Sequence, residues 1–338
     1  MYRSSWGTCC FAGYLIRARF RHAILTPDYV NYFCASSLYW AFIQSDQIQS
    51  TIPNFSAERY GAIPMPCPPT NEQSVIVAFL DHETAKIDAL VAEQVQLIAL
   101  LKEKRQAVIS HAVTKGLDPN APMKDSGVEW LGQVPAHWEL RKVSQLFRAG
   151  KGRFGQMLTK EFCGTHEGDY PVYSGQTEND GVMGTWDQFE FDVGDIGVLF
   201  STTVGAKAMH LRQLFGRFSL SQNCMIIWPT SEKCTVRFFY YHLQPLFQFQ
   251  RALIPDHMQA SFRIEDLYGY VIGLPPRDEQ IQIAHFIDHE TVQLDVLTKE
   301  ADAAINLLKE RRAALISAAV TGKIDVRGVI AVPAAEAA

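Results

Sequence analysis

Lys151, Arg153, Ser174, Gln176, Asn179, Lys207, Arg217, Ser221, Gln222, Asn223 and Arg263 fall in predicted loops or at strand ends of one stretch, residues 136–270. Arg, Asn and Gln can form paired hydrogen bonds to guanine and adenine edges, and Lys commonly contacts phosphate. Each of these side chains taken alone is more readily a solvated surface group; as a set they point to binding. A second candidate lies near the N-terminus. Tyr14 to Arg21 alternates and reads as a strand with Arg17, Arg19 and Arg21 on one face, where they either grip phosphates or are solvated.

The chain offers less for catalysis. His285 and His289 stand four apart, a spacing that can hold a metal on a helix. The internal repeat described next puts Ala78 at the position of His285, so a metal site is not expected. His82 and His289 sit in a polar stretch where a capping or surface role suffices. No GxGxxG, G-x-S-x-G, HExxH or GxxxxGK[ST] occurs, and Gly150 to Gly155 is a flexible basic loop rather than a phosphate-binding one. The carboxylates are scattered. No catalytic residue is expected.

The elements that must hold the binding set are fixed by a repeat. Pro68–Asp118 and Pro275–Asp325 align without a gap at an offset of 207, with about half the positions identical. Asn71 and Asp278 are candidate N-caps after the paired prolines, with Glu72 and Glu279 in the first turn. Apolar residues then recur at steps of three and four. They are Ile87, Leu90, Leu97, Leu101 and Val108 in the first copy, and Leu294, Leu297, Ala304, Leu308 and Leu315 in the second. Near-3.5 spacing predicts a coiled-coil seam that also serves for partner docking, weakened at Gln94 and Ala301. Asp81–Thr84 and Asp288–Thr291 read as polar interruptions separating a lead-in helix from a long one. A helix of about 30 residues at about 1.5 Å each is roughly 45 Å long.

At 338 residues the chain has length for two domains. Its 47% hydrophobic and 20% charged residues are ordinary for a globular protein, and no apolar run is long enough to span a membrane. Seven cysteines without a CxxC pair read as free thiols, and with no signal peptide the expectation is a cytoplasmic protein. The net charge of −5 argues against a generally basic nucleic-acid binder, but it is unevenly spread. Residues 71–118 and 278–325 each carry 5 basic groups, against 7 and 9 acidic ones; residues 141–270 carry 13 of each. A local basic groove is therefore permitted outside the helices.

The chain divides as follows. Residues 1–67 read as the C-terminal part of a domain, with a buried helix over Tyr29–Ile43 and a short strand at Ala62–Met65. Residues 68–118 are the first repeat helix, and 119–135 a Pro- and Gly-containing linker whose Trp130 and Leu131 pack with Trp138. Residues 136–270 form a complete domain, 271–326 the second repeat helix, and 327–338 a disordered tail. Within the complete domain Leu140–Ala149 reads as a helix, and Glu178–Val182 as an Asp-Gly hairpin turn. Short strands follow, including Phe189–Asp195, Ile196–Ser201, Ala206–Leu211 and Met225–Trp228, then an aromatic helix over Thr235–Phe249. The fold class is α+β, with two long antiparallel coiled-coil helices related as a pseudo-twofold repeat.

Four stretches carry a resemblance. They are PPTNEQSVIVAFLDHETAKIDAL with LLKEKRQAVISHAVTKGLD and its second copy, KDSGVEWLGQVPAHWEL from Lys124, YPVYSGQTENDGVMG from Tyr170, and FSLSQNCMIIW from Phe218. On these the chain resembles the specificity subunit of type I restriction-modification enzymes. The resemblance implies target-recognition domains that each read one half of a split double-stranded DNA site. It implies long helices that set the spacing and dock methyltransferase subunits, and a motor-nuclease subunit that cuts. S-adenosylmethionine, ATP and Mg are then expected on those partners, with no cofactor on this chain. Nothing like the Lys124–Leu140 stretch precedes the first helix, so residues 1–67 are expected to be a remnant of the first recognition domain. A coiled-coil adaptor without a DNA role, a subunit reading one half-site and an enzyme in its own right remain alternatives.

Overall fold

The two copies of the repeat form the fourth and ninth helices of the chain, α4 (Thr70–Lys115) and α9 (Arg277–Val320). The computed structural model describes residues 10, 15–16, 24–45, 55–176, 178–255 and 257–329. The expected strand with Arg17, Arg19 and Arg21, and the tail from residue 330, lie outside them. Both helices start two residues earlier than the caps expected from sequence would set. Gln73 N donates to Pro69 O and Gln280 N to Pro276 O, which leaves Asn71 and Asp278 inside the first turn. Neither helix breaks at its Asp-His-Glu-Thr stretch, because these polar groups have partners. Asp81 accepts from Tyr32 Oη (2.6 Å) and Asp288 from Tyr241 Oη (2.5 Å), while the Thr291 hydroxyl donates back to Ile287 O (2.7 Å). The copies part at their ends. Gly116 (φ +74°) terminates α4, but the order Gly322-Lys323 replaces Lys115-Gly116, and α9 stops at Val320.

The buried stripe on each helix keeps strict heptad spacing, one residue away from part of the expected one. In α4 it runs through Thr84, Ile87, Val91, Gln94, Ile98, Leu101, Arg105, Val108 and Ala112; in α9 through Thr291, Leu294, Thr298, Ala301, Ile305, Leu308, Arg312, Leu315 and Ala319. Leu90 (45% exposed), Leu97 (42%) and Leu297 (47%) lie outside the seam. Both phases share Ile87, Gln94, Leu101 and Val108; they part at the positions between, where Val91 and Ile98 are half-buried and Leu90 and Leu97 are exposed.

The chain forms two units, Met1–Leu100 with Leu297–Ala338, and Leu101–Val296. In the first, α1 (Pro27–Cys34) and α2 (Ser37–Ser45) pack on the N-terminal part of α4 and the C-terminal part of α9, around Tyr29, Phe33, Ile76, Leu80, Ile316 and Val320. A short α3 (Ala57–Gly61) follows, capped by Ser56. The expected single helix over Tyr29–Ile43 is thus interrupted at Ala35–Ser36, and Ala62–Met65 forms no strand.

The second unit holds the strands. β1 (Met123–Asp125) pairs with β2 (Gln133–Pro135), so the stretch expected as a linker is a hairpin. Leu131, Val134 and Trp138 are buried with Ile109 and Val113 of α4 and Ile283 and Ile287 of α9. The Leu140–Ala149 helix is not formed. β3 (Glu139–Lys142), a single turn α5 (Val143–Leu146) and β4 (Phe147–Gly150) occupy it, because pairing with β12 (Val271–Leu274) and with β11 (Cys224–Pro229) overrides local helical preference. β4 and β11 continue through β8 (Val198–Thr202) to β9 (Leu211–Leu214) as an antiparallel sheet. A second sheet is ordered β6 (Val182–Trp186), β5 (Tyr170–Tyr173), β10 (Arg217–Leu220), β7 (Phe191–Asp192), with β5 and β10 parallel. α6 (Lys160–Thr165) lies on β6; α7 (Val236–Ala252) and α8 (Ile264–Gly269) complete the unit. Ala206–Leu211, expected as a strand, is a turn. Met209 sits there at φ +66°, and β9 begins at Leu211.

Two sets of side-chain bonds recur in both units. Gln73 Oε1 accepts from the backbone N and hydroxyl of Thr26, and its Nε2 donates to Ile24 O and Pro68 O. Gln280 makes the same four bonds to Thr235, Lys233 O and Pro275 O. Arg312 Nε pairs with Asp88 (2.9 Å) in one unit, Arg105 Nε with Asp295 (3.4 Å) in the other. These pairings run the helices antiparallel within each unit. They also equate α1 with the start of α7 at an offset of 209, so the repeat extends beyond the 51 residues visible in sequence.

Candidate nucleic-acid interface

The expected binding residues separate into three groups. Ser174, Gln176 and Asn179 shape the β5–β6 turn. Ser174 is buried and its Oγ accepts from Gln176 N (3.3 Å); Gln176 Nε2 donates to Val182 O (2.5 Å), and Asn179 and Asp180 take left-handed φ of 48° and 50°. The hairpin signal in Glu178–Val182 is therefore realised, and its polar side chains are spent on it. Arg217 stands at the far end of β10, paired with Asp192 (2.9 Å) and stacked over Phe189 at 4.8 Å. It is not assembled with the others.

The third group comes together. The loop after β4 carries Lys151 and Arg153, and the β10–β11 turn carries Ser221, Gln222 and Asn223. A Cβ built on Gly155 would lie 3.1 Å from the backbone N of Gln222, so these loops approach closely and a side chain there would crowd the β10–β11 turn. Glu190 ties the first loop down, accepting from Phe154 N (2.9 Å) and Leu220 N (3.4 Å). It is held at both edges rather than loose. Ser221 N donates to Tyr173 O, and its Oγ faces the Cys224 thiol at 3.6 Å. Burial pushes that thiol up to about 11, against the nearby Lys151 charge. Asn223 O accepts from Thr203 N, and Thr203 O from Phe262 N, which brings in the turn with Lys207 and the segment before Arg263. Lys151, Arg153, Lys207, Gln222, Asn223 and Arg263 are exposed, and among the described residues their side chains make no hydrogen bond or ion pair. Four loops thus present free donors along one rim of the two sheets.

Beside this rim lies a groove of about 710 Å³ that sequence reading did not find. The turn of residues 206–211, the C-terminal half of α7 and Arg105 of α4 line it. Arg212 stands nearby, its guanidinium against Gly181. His210 is kept below its ordinary range by burial, and further by Arg212 and Lys207, so it is neutral at pH 7. These groups come from three elements far apart in the chain, and no local spacing links them. The chemistry on offer is recognition. Among the described residues no cluster of His, Cys, Asp and Glu could hold a metal, and no helix is long and apolar enough to cross a membrane.

Comparison with known proteins agrees with this architecture. Several curated type I specificity subunits are similar. The StySPI specificity subunit of Salmonella potsdam is 31% identical over 106 residues, 31% of this chain and 23% of that protein. The EcoKI specificity subunit of Escherichia coli K12 is 30% identical over 121 residues, 36% of this chain and 24% of that protein. The matched stretch thus spans about a quarter of these relatives. Among solved structures, a chain from work on complex assembly and conformational transition of the type I R-M system superposes with a TM-score of 0.70 at 15% identity, covering 88% of this chain and 72% of that one. The HsdS subunit of Thermoanaerobacter tengcongensis gives 0.50 at 14%, covering 89% and 71%. Both are likenesses of fold. The family described as type I restriction modification DNA specificity domain matches residues 135–306, just over half of the chain and all of the loop rim, and the chain belongs to that family.

Proposed function

We propose that this chain is the address-reading, non-catalytic subunit of a type I restriction-modification complex, and that residues 136–270 read one part of a split double-stranded DNA site. The family match over the domain that bears the rim is the observation that carries this reading. Free Arg, Lys, Gln and Asn side chains on four loops support it, because base edges in the major groove are read by such donors. The partners in this reading are methyltransferase subunits, which bring S-adenosylmethionine, and a motor-nuclease subunit, which brings ATP and Mg. The paired helices α4 and α9 serve as their platform and as a spacer between reading heads. The test is binding by the chain co-expressed with its methyltransferase subunits. A sequence-selective affinity that falls steeply with salt is expected. A flat response to salt would instead support a coiled-coil adaptor, and nuclease or methyl-transfer activity from the isolated chain would overturn the non-catalytic assignment.

A further inference from the structure

The groove beside the rim gathers positive charge on a chain that is acidic overall. Overall, 36 acidic residues outnumber 31 Lys and Arg. Yet the groove is lined by Arg105, Lys207 and Arg251 together with the neutral His210, and among the described residues by no Asp or Glu. Lys207 and Arg251 have no ion-pair partner among the described residues, and Arg105 reaches Asp295 only at 3.4 Å. Gln244 and Gln248 add amide donors along α7, and Gln248 Nε2 is fixed by a 2.9 Å bond to Gln106. The two buried side-chain polar atoms left without a partner among the described residues adjoin this place. They are Gln106 Nε2, behind Gln248, and Thr203 Oγ1, in the turn that carries Lys207. A groove that gathers cations and amide donors, with no carboxylate among its described lining residues, suits a polyanion whose charges are spaced along a line. The same turn joins groove and rim, since Thr203 N bonds Asn223 O while Lys207 faces the groove.

We infer that this groove, through Lys207, Arg251 and Arg105, grips the sugar-phosphate backbone of duplex DNA and sets the register in which the rim loops meet the bases. The inference rests on the DNA-reading proposal and assigns a division of labour within it: the groove positions, and the loops at Lys151–Arg153 and Ser221–Asn223 specify.

The experiment compares two double variants, Lys207→Ala with Arg251→Ala and Gln222→Ala with Asn223→Ala, each in the full chain with its methyltransferase subunits. Binding to a cognate and to a scrambled duplex is measured from about 50 to 200 mM salt. Removing one phosphate-neutralising cation lowers the slope of log K against log salt by about 0.9. The groove variant should therefore lose close to two units of slope and weaken cognate and scrambled DNA by the same factor. The rim variant should keep its slope and lose the ratio between the duplexes. Lys207→Arg with Arg251→Lys should restore the slope, which separates charge from folding. A groove variant with unchanged slope, or one that loses only cognate binding, overturns the inference while wild-type binding stands. If the wild-type complex shows no salt-dependent selectivity, the parent proposal fails first.

Discussion

His242 shows how a single side chain fixes the second unit. It is fully buried on α7, with Nδ1 2.9 Å from Val113 O and Gly273 N donating to Nε2 at 3.2 Å. Those partners leave only the neutral ring with its proton on Nδ1, since a second proton on Nε2 would face the Gly273 N–H. Burial holds the group down to about 4, against the Val113 carbonyl, which favours the charged form. The unfolded chain, with a pKa near 6.5, therefore binds a proton in a range where the folded chain does not. Stability from this group is complete above about pH 6.5 and is lost as pH falls toward 4, a loss on the order of 3 kcal/mol. Denaturant melts between pH 7 and 4 should show it. The first unit has Phe33 at the equivalent position and satisfies the Val320 carbonyl from Tyr29 Oη instead (3.1 Å). His242→Phe should accordingly flatten the pH dependence and cost about 2–5 kcal/mol at pH 7, because a carbonyl and an N–H are left buried and unpaired. A variant that melts like the parent at both pH values would show that these bonds contribute nothing.

At the scale of elements, the helices gain their register from what the seam excludes. Leu101 is 8% exposed and its repeat partner Leu308 is half-buried, whereas Leu90, Leu97 and Leu297 face solvent. Leu101→Glu should destabilise the helix pair by several kcal/mol, since an unpaired carboxylate enters an apolar seam. Leu97→Glu should leave melting within about 0.5 kcal/mol of the parent. Co-purification with the methyltransferase subunit adds a second readout: if Leu97→Glu melts normally but loses the partner, the exposed leucines belong to docking and not to the seam. The sequence made the long helices, their repeat and a minority of the strands legible, because 3.5-residue spacing and turn chemistry are local. It misplaced Leu90, Leu97 and Leu297, because steps of three-then-four and four-then-three both pass through Ile87, Gln94 and Leu101, and apolar residues stand at Leu90 and Val91 and at Leu97 and Ile98 alike. It misread Leu140–Ala149 for a different reason. That stretch becomes strand only by pairing with Val271–Leu274 and Ile226–Pro229, partners about 80 to 130 residues away. The groove was hidden likewise, its cations arriving from α4, the 206–211 turn and α7.

At the scale of the molecule, the repeated bonds of Gln73 and Gln280, Asp88 and Asp295, and Arg312 and Arg105 mean that each long helix begins in one unit and ends in the other while making the same bonds in both. The units differ in what they carry. The described rim of free donors belongs to Leu101–Val296, and no part of it has a counterpart among the described residues of the other unit. Under the proposed function, changing the rim should therefore rewrite one part of the recognised DNA site and leave the rest alone. Methylome sequencing of cells that carry the system with Gln222→Ala and Asn223→Ala provides the measurement. The methylated sequence is expected to relax or change at adjacent positions on one side of the unread spacer, with spacer length and the other side as in the parent. Spacer length should hold because the substituted residues are exposed loop positions that touch neither α4 nor α9. A change on both sides, or a shift in spacing, would mean that these loops act through the helices rather than on bases. An unaltered motif at full methylation would remove Gln222 and Asn223 from the reading set and leave Lys151, Arg153 and Arg263 as the residues to test.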